Sequence, residues 1–185
     1  MTAENIEPAD ILEYWYSESM QKHWFSSTPA LDGEIREKYQ RLWERAAEGE
    51  LDHWQDSPDG ALALVIVLDQ FPLNMFRGKP EYFRTERKAV EVTLDALKKG
   101  FDKQLSKDRL GFLLMPLMHS ERIEEQDLSV KLFHQYELTA NIKFAEHHRE
   151  LVRKYGRFPH RNAILGRENT PAEVEYLASK NAFKG

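Results

Sequence analysis

Three stretches of this chain carry the residue types from which acid/base chemistry or anion binding is built. The first is Asp69-Gln70-Phe71-Pro72-Leu73-Asn74-Met75-Phe76-Arg77-Gly78, where Asp69 closes an apolar run. A carboxylate at the C-terminal end of a helix meets the negative pole of the helix dipole and needs a compensating partner. Asp69 is therefore either the acid of a structural ion pair with Arg77 or another arginine, or a base, ligand or substrate anchor. The second stretch is Met118-His119-Ser120-Glu121, in which an imidazole and a carboxylate two positions apart can share a substrate proton. Its alternative is a helix start, with Ser120 as N-cap and Glu121 at the positive pole. The third is Gly156-Arg157-Phe158-Pro159-His160-Arg161-Asn162. Its two guanidinium forks suit carboxylate or phosphate oxygens, or else neutralise internal acids such as Asp69 or Glu121.

These stretches yield Asp69, His119, Glu121 and His160 as candidate catalytic residues. Gln70, Asn74, Arg77, Arg157, Arg161 and Asn162 are candidate ligand-binding residues, and His148 joins them because its spacing places it on an apolar helical stripe, with His147 facing away. No metal is assigned. Imidazole and carboxylate from His119, Glu121, His148 and His160 would suit zinc or iron, but no HExxH or comparable spacing specifies a site. Nor is there a phosphate-binding glycine loop, a GxSxG elbow or a dinucleotide fingerprint, so the cofactor stays unknown.

The elements that must position these residues read as helices. Thr28-Pro29, Ser57-Pro58 and Thr170-Pro171 each offer a hydroxyl cap followed by a proline suited to the first helical position, and Glu173 completes a capping box with Thr170. Gly49, Gly100 and Gly156 mark helix ends. Between these marks, apolar spacing predicts helices over roughly residues 8 to 18, 29 to 48, 80 to 99, 122 to 139, 140 to 155 and 171 to 180. On the helix ending at Gly156 the predicted stripe is Phe144, Ala145, His148, Leu151, Val152 and Tyr155. The runs Ala61 to Leu68 and Phe112 to Met118 are apolar all round and read as central helices, with Pro116 expected to kink or break the second. Phe71-Pro72 and Phe158-Pro159 both read as loops. Tyr14, Trp15, Tyr16, His23, Trp24 and Phe25 form an aromatic cluster, read as core before ligand surface.

At 185 residues, 41% apolar and 31% charged, the chain suits a single all-α domain spanning 1–185. The absence of cysteine excludes disulfides, thiolate metal sites and a cysteine nucleophile. A net charge of −5, with both signs spread along the chain, disfavours nucleic acid as a partner. The opening MTAENIEPAD lacks the features of a signal peptide, and no apolar run reaches the roughly 20 residues of a membrane span. The expectation is a cytoplasmic protein that engages no membrane, its oligomeric state open.

The strings ALALVIVLDQFPLNMFRG, FLLMPLMHSE and YGRFPHRNAILGRENTPAE, together with EYWY near the start, resemble the bacterial domain-of-unknown-function 924 family, which is assigned to the tetratricopeptide-like helical superfamily. The resemblance covers almost the whole chain and implies an antiparallel helical array resident in the cytoplasm. It implies no reaction. Leu73 departs from the arginine usual in the family's string, which weakens anion binding by that segment. Two functional readings compete. One is a polar pocket for a small anionic ligand, with or without acid/base chemistry. The other is a non-catalytic helical scaffold binding a peptide or partner protein.

Overall fold

The computed structural model describes residues 5–184, so the first four residues of the opening stretch and Gly185 lie outside the described chain. Every regular element among the described residues is helical. The all-α expectation is met, and the predicted caps explain why. Thr28, Ser57 and Thr170 each accept a hydrogen bond from a backbone N–H in the first turn of α3 (Pro29–Glu48), α4 (Pro58–Val65) and α10 (Pro171–Ala178). The Thr170–Glu173 capping box is closed in both directions. Gly49, Gly100 and Gly156 all take positive φ after their helices, a conformation that costs glycine nothing.

The residues fall into two compact units. The first holds residues 1–77 and 81–116. It contains α1 (Pro8–Trp15), α2 (Glu18–Gln21), α3, α4, α5 (Phe71–Met75), α6 (Glu86–Lys98) and most of α7 (Lys107–His119). Its core is built on Leu62, Leu64, Ile66 and Leu68 from the all-apolar run, each at most 1% exposed, with Trp15, Trp43 and Phe71 around them. Trp15, Tyr16, Trp24 and Phe112 pack ring against ring, as expected of the N-terminal aromatics, but Phe25 is 78% exposed and stands outside that cluster.

At Pro72 an expectation is overturned, and at Pro116 the break that was one of two expected outcomes does not occur. Phe71-Pro72 is no loop: the chain runs from α4 through a π-helical segment, Ile66–Gln70, directly into α5. Pro72 has no N–H for the carbonyl of Leu68 four residues back, and its ring would clash with that carbonyl in a regular helix. The backbone widens by one residue per turn instead. The exposed acceptor is met from elsewhere, since the Thr85 hydroxyl donates to the Leu68 carbonyl at 2.6 Å and accepts from Trp43 Nε1 at 2.8 Å. As a result Asp69 lies inside a continuous helical path and not at a helix end. Pro116 likewise sits inside α7, which carries on to His119.

The second unit holds residues 78–80 and 117–185. Its scaffold is the pair α8 (Ile123–Gln135) and α9 (Thr139–Tyr155). His134 meets Glu146 and Asp127 meets Arg153, contacts whose residue numbers fall on one helix as they rise on the other, so the two helices run antiparallel. Along α9 the predicted stripe is right for Ala145, His148, Leu151 and Val152, all buried, and wrong for Phe144, which is 57% exposed. One of the divisions between the units falls between Pro116 and Leu117, within α7.

Candidate functional site

Asp32 gathers three side-chain donors of the first unit. Its carboxylate accepts from Ser27 Oγ (2.6 Å), Asn74 Nδ2 (2.9 Å) and Arg77 Nε (3.1 Å). Burial by itself would raise the pKa of Asp32, and the hydrogen bonds from Arg77, Ser27 and Asn74 outweigh it and hold the carboxyl below its ordinary value. This pairing corrects the expected Arg77–Asp69 ion pair: the acid Arg77 serves is Asp32. Asp69 and Gln70 are buried at 4% exposure each, and Gln70 Nε2 donates to Asp69 Oδ2 at 2.6 Å and to Met115 Sδ at 3.3 Å.

Ser27, Asp32, Gly33, Arg36, Asn74 and Arg77 line an open hollow of about 540 Å³. Both guanidinium groups are anchored through Nε, Arg77 on Asp32 and Arg36 on Gln40 at 3.1 Å. Arg36 also lies over the Phe76 ring, 5.7 Å from its centroid. Neither residue's terminal Nη nitrogens are spent on protein acceptors among the described residues. Two anchored forks with unspent Nη donors suit a small oxyanion.

The remaining predicted residues belong to the second unit, and most are engaged with one another. Glu121 accepts from the Phe158 N–H (2.8 Å) and from Arg167 Nη1 (2.7 Å) and Nη2 (2.9 Å). Burial pushes its pKa up, but the Arg167 fork and the Phe158 amide overcome that and keep it below the usual carboxylate range. Arg167 also donates through Nε to Asn162 Oδ1 at 2.9 Å, and Asn162 Nδ2 donates to Asn169 at 2.7 Å. Arg157 grips Glu173 with both edges of its fork, at 2.7 and 2.8 Å, which holds the Glu173 pKa down to about 2. Arg161 stacks over Phe158 and donates to the His119 carbonyl at 2.7 Å. The expectation that Arg157 and Arg161 neutralise internal acids holds in part for Glu121, whose carboxyl the nearby Arg161 charge helps to hold down, while the direct ion pairs are Arg157 with Glu173 and Arg167 with Glu121.

Ser120 is not the cap of α8. The N-cap is Arg122, and the Ser120 hydroxyl instead donates to the Glu125 carboxylate while accepting from the Arg122 N–H. The two imidazoles read as site residues sit among aromatic rings. His148 packs on Phe158 and Phe183, and His160 packs on the same two rings at 5.6 and 5.0 Å. His148 Nδ1 faces the Phe144 carbonyl at 2.7 Å and so must carry the proton in a neutral ring. Burial lowers the pKa of His148 to about 3 and, with Arg161 beside it, that of His160 to about 4. Among the described residues no three His, Asp or Glu side chains gather closely enough to hold a metal ion.

A depressed histidine pKa means that the unfolded chain takes up the proton first, so stability is full above the ordinary value of 6.5 and falls as acid is added below it. His148 alone is expected to remove about 2 kcal/mol of unfolding free energy between pH 8 and pH 5, and His160 adds in the same direction. Urea titrations of the wild type and of His148→Phe across this range check it. The variant should lose less stability with acid than the wild type, and parallel losses would refute the assignment.

The sequence matches the model of the family described as bacterial protein of unknown function (DUF924) over residues 11–181. The chain belongs to that family. A solved structure of a protein of unknown function, ATU0120 from Agrobacterium tumefaciens, is similar over 92% of this chain and 96% of its own, with 35% identity and a TM-score of 0.85. No curated protein matches. No helix among the described residues is long and apolar enough to cross a membrane. Of the residues singled out in the family's strings, Asn74 and Arg77 border the hollow, Asp69 and Gln70 are buried in the same unit and do not line it, and His119, Glu121, Arg157, His160, Arg161 and Asn162 belong to the second unit. Sequence reasoning missed Asp32, Arg36 and Arg167. Arg167 stood in the family string YGRFPHRNAILGRENTPAE, but Asp32 and Arg36 looked like ordinary residues of a solvated amphipathic helix.

Proposed function

We propose that this member of the family binds a small anionic ligand in the hollow of the first unit, held between the Nη edges of Arg36 and Arg77 with the Asn74 amide beside them. The observation that carries the reading is the brace on Asp32. A carboxylate that fixes Arg77 and Asn74 at once orders the site before a ligand arrives, which lowers the entropy lost on binding. The charge sum agrees, because two guanidiniums and one carboxylate leave one positive charge for the ligand.

The test is thermal unfolding of the whole chain with inorganic phosphate or succinate. At ten times its dissociation constant a bound anion contributes about 1.4 kcal/mol, roughly 3–6 °C in melting temperature for a chain of this size. The double variant Arg36→Ala, Arg77→Ala should lose that rise. An equal rise in wild type and variant, or none in the wild type, would refute the site.

A further inference from the structure

The two oxygens of Asp32 divide the hollow described above into two kinds of surface. On Oδ2 sits Arg77, whose remaining polar groups can only donate. On Oδ1 sit Ser27 Oγ at 2.6 Å and Asn74 Nδ2 at 2.9 Å. Asp32 is held in its ionised form, and a carboxylate accepts without donating, so both neighbours must give it a proton. That fixes the Asn74 amide with its NH2 edge on Asp32 and its carbonyl Oδ1 turned away. The Ser27 hydroxyl, having one proton to give, keeps only lone pairs. Neither Asn74 Oδ1 nor Ser27 Oγ receives a donor from the described residues. Asn74 is 9% exposed and borders the hollow, so the hollow is where a partner for its Oδ1 can approach.

A carboxylate alone would satisfy the guanidiniums but set its lone pairs against those of Asn74 and Ser27. The ligand therefore needs a donor as well. Because Oδ1 and Oδ2 belong to one carboxyl group, the acceptors and the Arg77 fork stand side by side, and the ligand's donor must lie next to its anionic group. An ammonium would bring a third positive charge to a place where Arg36 and Arg77 already exceed Asp32, and like-charge repulsion opposes it. A neutral hydroxyl meets both conditions. We infer that the ligand is a hydroxy acid with its hydroxyl on the carbon beside the carboxylate. The carboxylate lies between the Nη edges of Arg36 and Arg77, and the hydroxyl donates to Asn74 Oδ1 with Ser27 Oγ beside it. This rests on the anion-binding reading of the hollow and adds the group that accompanies the anion. Pro29 and Met75 border the same hollow and offer apolar contact to a short carbon chain.

Titrations of the whole chain with lactate, propionate, 2-methoxypropionate and inorganic phosphate, followed through the arginine Nε–Hε resonances, test it. Propionate lacks the hydroxyl, and 2-methoxypropionate keeps the oxygen without its proton. Lactate should bind about fivefold tighter than either, as expected for one neutral hydrogen bond. In the double variant Ser27→Ala, Asn74→Leu the lactate-to-propionate ratio should fall to about one, and a general loss of affinity does not enter a ratio taken within one protein. If that variant binds neither acid, the wild-type series decides alone. Equal wild-type affinity for lactate and propionate, or for lactate and 2-methoxypropionate, would overturn the hydroxy-acid assignment, as would an unchanged ratio in the double variant. Phosphate binding with no preference among the three carboxylates would overturn it while leaving the anion site standing. Failure of all four probes to move the Arg36 and Arg77 resonances would remove both.

Discussion

Thr85→Val is expected to destabilise the protein by roughly 3 kcal/mol, because one hydroxyl serves two buried groups and each buried polar atom left unmatched costs about 1–3 kcal/mol. The substitution preserves shape and volume, so no cavity enters the sum. It strips the Leu68 carbonyl of its Thr85 donor and leaves the Trp43 indole N–H without the acceptor it now has. Thr85→Ser keeps the hydroxyl and should stay much closer to the wild type. All four tryptophans lie in the first unit, so their fluorescence in urea reads this transition directly. If Thr85→Val unfolds at the wild-type midpoint, the Thr85 hydroxyl does not sustain these two buried groups as described.

The second large effect falls on Glu121. Glu121→Ala removes the acceptor of the Arg167 fork and of the Phe158 amide together, at a carboxylate whose side chain is 25% exposed. Breaking a fully buried pair costs about 3–5 kcal/mol, so partial hydration should bring this loss to about 2–3 kcal/mol. The second unit has no tryptophan, which makes far-UV ellipticity the suitable probe. A double-mutant cycle with Arg167→Met should show the two losses to be strongly non-additive. Additive losses would mean that the pair contributes nothing beyond its separate contacts.

How much of this was readable beforehand depended on distance along the chain. Thr28, Ser57 and Thr170 act on N–H groups three residues away, so their role as helix caps could be read from composition and order alone. The helical passage through Phe71-Pro72 could not, because what makes it tolerable is a hydroxyl seventeen residues after Leu68, at Thr85, and an indole at Trp43. The candidate site shows the same split. Arg77 and Asn74 stand out by residue type, and closeness along the chain points Arg77 to Asp69 as its acid. The acid lies at Asp32, in the first turn of a helix, where an aspartate is favoured by the dipole alone and draws no notice. Glu173 was likewise read only as half of a capping box, which it is, although it also receives the Arg157 fork. Local propensity and internal pairing selected the same residue types, and sequence order does not separate them.

The braced pair of guanidiniums is most directly tested by following the arginine Nε–Hε resonances of the intact chain while inorganic phosphate is added. The peaks of Arg36 and Arg77 should move together along one saturating curve, with those of Arg157 and Arg167, already bound to carboxylates, nearly still. A slow unsaturable drift shared by all arginines would contradict the site.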